Sequence, residues 1–107
     1  MLLRLTIFAY AVAVALASLA MTAICEAAHL PVVIGSMIES GIGVLMGAHV
    51  ALASPGVFST ELCGPFLLED LLLDTPLRVK DGELWLSDAP GLGAAVDEQS
   101  LENHLVT

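Results

Sequence analysis

The sequence is poor in positive charge. Three Lys and Arg residues stand against 12 Asp and Glu, giving a formal charge of −9 over 107 residues. A phosphate backbone would be repelled by such a chain, which argues against a nucleic-acid partner. Cysteine is scarce as well. Cys25 and Cys63 show neither C-x-x-C spacing nor a neighbouring His pair, so they signal neither a disulfide framework nor a zinc site, and read as two buried free thiols. Ten of the 12 acids lie from Glu61 onward, so the two halves differ electrically. Apolar residues are in excess, at 57 % of the chain. A small domain hides only about 60 % of its unfolded surface, so this composition implies a membrane segment, an obligate partner, or a piece of a larger core.

The first long feature is "LTIFAYAVAVALASLAMTAIC", Leu5 to Cys25, which carries no charge and follows a single Arg4. About 20 apolar residues cross a bilayer, so its length suits a span, although Ala supplies much of it. As a secretory signal it has a small-residue cleavage pattern in "ALASLA" but little of the basic start. A third reading is a buried helix of an α/β layer, apolar all round because both sides are covered. From Ala17 the pattern becomes more helix-like and ends at His29 before Pro31, a stop signal.

The remainder alternates. "PVVIG" reads as a short buried strand of a parallel sheet, "GSMIES" as a loop, and "GIGVLMGAHVALA" as a helix with Ser40 as its cap. "VFSTEL" is another strand, ending near Glu61, and "GPFLLEDLLL" a short helix opened by Gly64 and Pro65. The resulting order of helix, strand, helix, strand, helix predicts an α/β fold with parallel strands. In "TPLRVKDGELWLSD" the Asp-Gly pair between apolar runs predicts a two-stranded hairpin over residues 77–87. The final "APGLGAAVDEQSLENHLVT" reads as a Gly-rich turn and an acidic tail whose end is loose.

Three stretches, "GSMIESGIGVLMGAHVALA", "STELCGPFLLED" and "VKDGELWLSDAPGLGAAVDE", together resemble the carboxyl-terminal end of the muconate-lactonizing (muconate cycloisomerase) subgroup of the enolase superfamily. Each motif alone is weak; their order and spacing over residues 18–107 are specific. The resemblance implies a (β/α)8 barrel with a separate capping domain, a divalent metal that is usually Mg²⁺, and isomerase reactions through an enolate next to a carboxylate. It divides the chain into residues 1–17, which do not match the family, residues 18–75 as the last two βα units of an incomplete barrel, and residues 76–107 as hairpin and acidic tail. It also implies a small carboxylate substrate, a cytoplasmic location and frequent homo-oligomers in the parent family. The chain departs from relatives at Val33, Ile34 and Cys63, where Tyr, Gly and an aromatic are common. No Lys occurs before Lys80, so the catalytic lysines that the resemblance implies are absent. So are the carboxylate metal ligands, and no metal is expected to bind this chain alone.

In a barrel the strand ends carry the chemistry. By resemblance Glu61 is the last-strand acid near the substrate carboxylate, where an acid kept neutral by an apolar site can donate a hydrogen bond to developing negative charge; alternatively it is an exposed strand-end acid. Ser36, Met37, Glu39 and Ser40 are the expected substrate-pocket residues, with Glu39 alternatively a first-turn acid complementing a helix N-terminus. His49 reads as a structural hydrogen-bonding residue within its helix, and His29 as a partner of a helix C-terminus. Glu69, Asp70 and Asp74 read as a solvated helical face. The alternative to an enzyme piece is a small membrane-anchored or exported protein, held through residues 5–25, with an acidic interaction module.

Overall fold

The computed structural model describes residues 2–105. Helix α1 spans Leu2–Ala27, a length of about 39 Å at 1.5 Å per residue. It runs unbroken past position 17, the boundary expected from the sequence. Its end is built by the backbone. His29 adopts a left-handed φ of 54°, Leu30 N–H bonds the Cys25 carbonyl and His29 N–H bonds that of Glu26. This is the Schellman arrangement, with Pro31 following as a residue that cannot continue a helix. The stretch Ala9–Ala27 is long and apolar enough to cross a membrane by length and composition alone.

The expectation that α1 is covered on both sides does not hold. Most of its described residues are exposed, Tyr10, Leu16, Met21 and Ile24 each by more than half. Only one stripe packs, against helix α2, Gly41–Ala53. There the buried Thr22 and Ser54 hydroxyls bond each other at 2.9 Å. Cys25 and Cys63 are free thiols but only half-buried, less enclosed than their composition suggested.

Strand β1, Val32–Ile34, pairs in parallel with β2, Val57–Thr60, and α2 forms the crossover between them. The register pairs Val32 with Val57, Val33 with Ser59 and Ile34 with Thr60, with an irregularity between Val32 and Val33; Phe58 is the extra residue. Helix α2 supplies the core: Val44, Leu45, Ala48 and Val50 are buried, Val44 completely, and a side chain of this kind contributes about 1.5–3 kcal/mol when fully covered. Val33 and Phe58 remain exposed. The apolar composition of these strands therefore fits a sheet covered on two faces, yet the described residues leave part of it bare.

After β2 the expected helix over residues 64–73 is much shorter. Helix α3 spans only Gly64–Leu67, and Leu68 is already extended. Residues 70–74 instead run beside the tail. Asp74 N–H bonds the Ala95 carbonyl, Asp97 N–H bonds that of Leu72, and Leu73 bridges Val96. Tertiary pairing overrides helical propensity here. Asp70 and Asp74 are thus not members of a helical face; each bonds the tail, Asp74 through Ala95 N–H and Asp70 through the Ser100 hydroxyl. Glu69 lies beyond the end of α3.

The hairpin appears where Asp-Gly placed it. Strands β3, Arg78–Lys80, and β4, Glu83–Trp85, pair antiparallel. Asp81 and Gly82 both have positive φ, 54° and 82°, the two-residue turn whose twist matches the strands. The Arg78 guanidinium lies 5.0 Å from the Trp85 ring centre, a contact worth about 0.5–1 kcal/mol at an exposed site.

The tail holds a helix that its composition did not announce, while its last two residues, 106–107, lie outside the described residues. Helix α4 covers Glu98–Asn103, and the Asp97 carboxylate caps it by accepting from Gln99 and Ser100 N–H. Such a cap contributes about 1 kcal/mol. Ser100 is buried. The Ser100 hydroxyl, followed by Leu72 N–H, holds the Asp70 carboxyl below its ordinary value. A carboxyl lowered on folding contributes stability that is present above its unfolded value and lost as pH falls through the folded one. The protection factors of the α4 amides, measured against the intrinsic exchange rate at each pH, are therefore expected to fall on acidification below the usual carboxylate range. In Asp70→Ala these amides should exchange faster at neutral pH and lose most of that added pH dependence.

Candidate functional site

Parallel pairing fixes where the chain's polar loops meet. Both strands run the same way, so the loop after β1 and the turn after β2 emerge at one edge of the sheet. Glu61 N–H extends the ladder by bonding the Ile34 carbonyl at 2.8 Å, which places Glu61 directly beside the start of the loop 35–40.

That loop is organised by its own side chains. The Ser36 hydroxyl donates to Glu39 Oε2 at 2.6 Å, and Met37 N–H donates to Glu39 Oε1. Ile38 N–H donates to Ser36 Oγ at 3.3 Å, and the Cys63 thiol donates to the same oxygen at 3.2 Å. These bonds, Ser36 first and Met37 N–H second, hold the Glu39 carboxyl below its ordinary value. Ile38 takes a φ of 64°, a left-handed conformation that is costly for a β-branched residue and typical of tightly determined loops. Gly64 allows the second loop to close in: a Cβ there would collide with the Glu39 carbonyl oxygen.

The expected residues thus separate. Ser36 and Glu39 come together within the loop, and Cys63 joins them across the sheet edge. Met37 is 89 % exposed and makes its hydrogen bond through the backbone. Ser40 occupies the cap position of α2, but its side chain forms no capping bond. Glu39 precedes the helix and closes its own loop, so it is not a first-turn acid of α2. Glu61 is exposed, and among the described residues its carboxylate accepts no hydrogen bond. It borders a cleft of about 270 Å³ lined by Leu62, Cys63, Phe66 and, from the hairpin, Val79 and Leu84. His49 Nε2 lies 3.3 Å from the Leu92 carbonyl oxygen, a structural tie between α2 and the Gly-rich turn. Among the described residues no group of three His, Cys, Asp or Glu side chains converges to hold a metal ion.

From the sequence Cys63 reads as a free thiol and as a departure from relatives at a position lining or flanking the site, while its bond to Ser36 and the hairpin's place at the cleft appear only in the structure. The signal for Cys63 was its position two residues after Glu61 on the same short turn. Nothing local announced the hairpin wall.

The profile of enolase C-terminal domain-like proteins matches residues 14–100. The chain belongs to this family. A chloromuconate cycloisomerase from Pseudomonas putida is 38 % identical over 87 residues, covering 80 % of this chain and 24 % of the relative. A muconate cycloisomerase 1 from Acinetobacter baylyi is 42 % identical over 69 residues, covering 64 % of this chain and 19 % of the relative. Among solved structures, a muconate lactonizing enzyme from Klebsiella pneumoniae superposes with a TM-score of 0.75 at 31 % identity, over 83 % of this chain and 25 % of that one. One from Pseudomonas putida gives 0.73 at 37 %, over 79 % and 24 %. The chain spans about a quarter of the length of these relatives. The family match begins at residue 14, inside the apolar stretch, so a membrane anchor joined to an unrelated acidic module finds no support.

Because the Glu39 carboxyl is lowered on folding, its contribution to stability is present above the unfolded value and is lost as pH falls through the folded one. The wild-type chain is expected to melt above Glu39→Gln at neutral pH, with the difference in Tm shrinking towards zero on acidification. Melting curves collected across that range measure it.

Proposed function

We propose that residues 18–75 are the last two βα units of a (β/α)8 barrel and that residues 76–107 are its hairpin and tail. In this reading the barrel is that of a muconate cycloisomerase-type isomerase acting on a small carboxylate in the cytoplasm. The observation that carries the reading is the placement of Glu61 and the Ser36–Ser40 loop side by side at the C-terminal edge of two neighbouring parallel strands, where barrels build their sites. The exposed sheet face bearing Val33 and its partner Ser59 then becomes barrel interior, and the unpaired strand edges meet the remaining strands.

Glu61 is the acid of the site. Among the described residues its carboxylate accepts no hydrogen bond, which leaves it available to substrate. In the complete barrel this carboxyl would stand beside the substrate carboxylate, placed to hydrogen-bond to charge developing there. The loop carrying Ser36, Met37, Glu39 and Ser40 shapes the opposite wall of the pocket. The residues described here do not fit a metal ion: no carboxylate set converges. The Mg²⁺ that the resemblance implies would therefore need ligands from other strands, and no step at Glu61 or the loop is derived through it. With no lysine before Lys80, this chain also lacks the strand lysines that the resemblance implies as the groups that take a proton from carbon.

The chain alone is accordingly expected to show no turnover of muconate with Mg²⁺ present. Grafting residues 18–107 onto the front three quarters of a muconate cycloisomerase is expected to restore a folded, active barrel. In that chimera Glu61→Gln should lower kcat by about 10² or more, the usual cost of one preorganised oxyanion donor. Glu39→Gln should act mainly on KM. A folded but inactive chimera, or small and equal effects at both positions, would contradict the reading.

A further inference from the structure

A serine hydroxyl offers one donor and two acceptor lone pairs. All three are used at Ser36. Its proton goes to Glu39 Oε2, and its oxygen receives Ile38 N–H and the Cys63 thiol. The bonds come from different parts of the fold. Ile38 and Glu39 belong to the loop after β1, whereas Cys63 lies 27 residues further along, in the turn after β2. Ser36 is also only half-buried at the sheet edge, so solvent competes for its hydroxyl unless these partners hold it.

We propose that Ser36 is a positioning residue: its saturated hydroxyl joins Cys63 to Glu39 and so couples the loop after β1 to the turn after β2, which carries Glu61 and lines its cleft. The inference rests on the reading that these loops line a substrate pocket, but it assigns Ser36 a different task from contacting substrate. With its bonding capacity filled, Ser36 has nothing left to offer a ligand. Polar contact then falls to Glu61, whose carboxylate accepts no bond among the described residues, and to Ser40, whose side chain leaves the helix end uncapped.

The coupling has a direction. Donation by the thiol polarises the hydroxyl, and a polarised hydroxyl donates more strongly to the carboxylate. A change at Cys63 therefore reaches Glu39 without touching it. The close approach of Gly64 to the Glu39 carbonyl oxygen forms a second contact between the same two segments and keeps them at bonding distance. Besides Ser36, the groups that face the Glu39 side chain or backbone are Met37 N–H and Glu39's own N–H in the loop, Gly43 on α2 and Gly64 at the start of α3. None of these carries charge, so the hydroxyl is the lever on this carboxylate.

The test uses the full chain with Cys25→Ala, leaving Cys63 as the one thiol. Two signals are read: the infrared S–H stretch of Cys63, and the pH midpoint of the Glu39 side-chain carboxyl by carbon-13 NMR. Ser36→Ala is expected to move the S–H band to that of an unbonded thiol and to raise the Glu39 midpoint. Ser36→Thr, which keeps the hydroxyl, is expected to restore both. An unmoved S–H band, an unmoved midpoint, or no restoration by Thr would each overturn the proposal. Should Ser36→Ala not fold, Glu39→Gln serves in its place, with a shift of the S–H band expected and an unchanged band contradicting the coupling. Neither signal depends on turnover, so failure here is distinct from failure of the cycloisomerase reading.

Discussion

The parallel pairing of β1 with β2 is the constraint on which the rest depends. Two strands joined by a crossover helix must end on the same edge, and the bond from Glu61 N–H to the Ile34 carbonyl extends that pairing to the first residue beyond β2. Everything at the candidate site follows from this alignment. The loop after β1 can fold on itself through Ser36 and Glu39 because its start is pinned. The turn after β2 can reach Ser36 through Cys63 because it begins one strand away. Helix α2, apolar on nearly every side, fixes the separation by burying Val44, Leu45 and Ala48.

The same alignment ties the site to the tail. Gly41 N–H, at the start of α2, bonds the Leu71 carbonyl, and residues 70–74 are in turn bonded to residues 95–100. The strand-end loop, the helix it leads into and the capped tail helix therefore form one chain of backbone contacts. The acids of the second half, which look like a solvated face when read by spacing alone, serve this chain: Asp70 holds Ser100, Asp74 holds Ala95 and Asp97 caps α4.

How much was legible followed how local the cause was. Asp81-Gly82 specified its turn because both residues must take positive φ, a requirement met within two positions. The strand and helix alternation over residues 31–62 was legible from the uninterrupted apolar runs and the Ser, Gly and Pro residues between them. "GPFLLEDLLL" misled because its apolar spacing suits a helix, while the pairing of Leu73 with Val96, 23 positions away, decides its conformation. The tail helix carried a signal that went unread, Asp97 followed by "EQS", a cap with an acid in the first turn. At the site, the strand-end positions of Glu39 and Glu61 were legible from the strand boundaries and the family resemblance. The contact between Ser36 and Cys63 was not, since it depends on sheet register, and a loop's own hydrogen bonds carry no periodic trace in the sequence.

Much of α1, together with Val33 and Phe58, is exposed, and the chain spans about a quarter of its relatives' length. Apolar surface of this extent is stable when covered, and a barrel covers it with strands on both edges. A crystal structure of residues 18–107 grafted onto the front of a muconate cycloisomerase tests this most directly. The account predicts that the outer edges of β1 and β2 each pair with a strand of the graft, with Glu61 and the Ser36–Ser40 loop facing one mouth. Unpaired outer edges, or Glu61 directed away from the loop's side of the barrel, would contradict it.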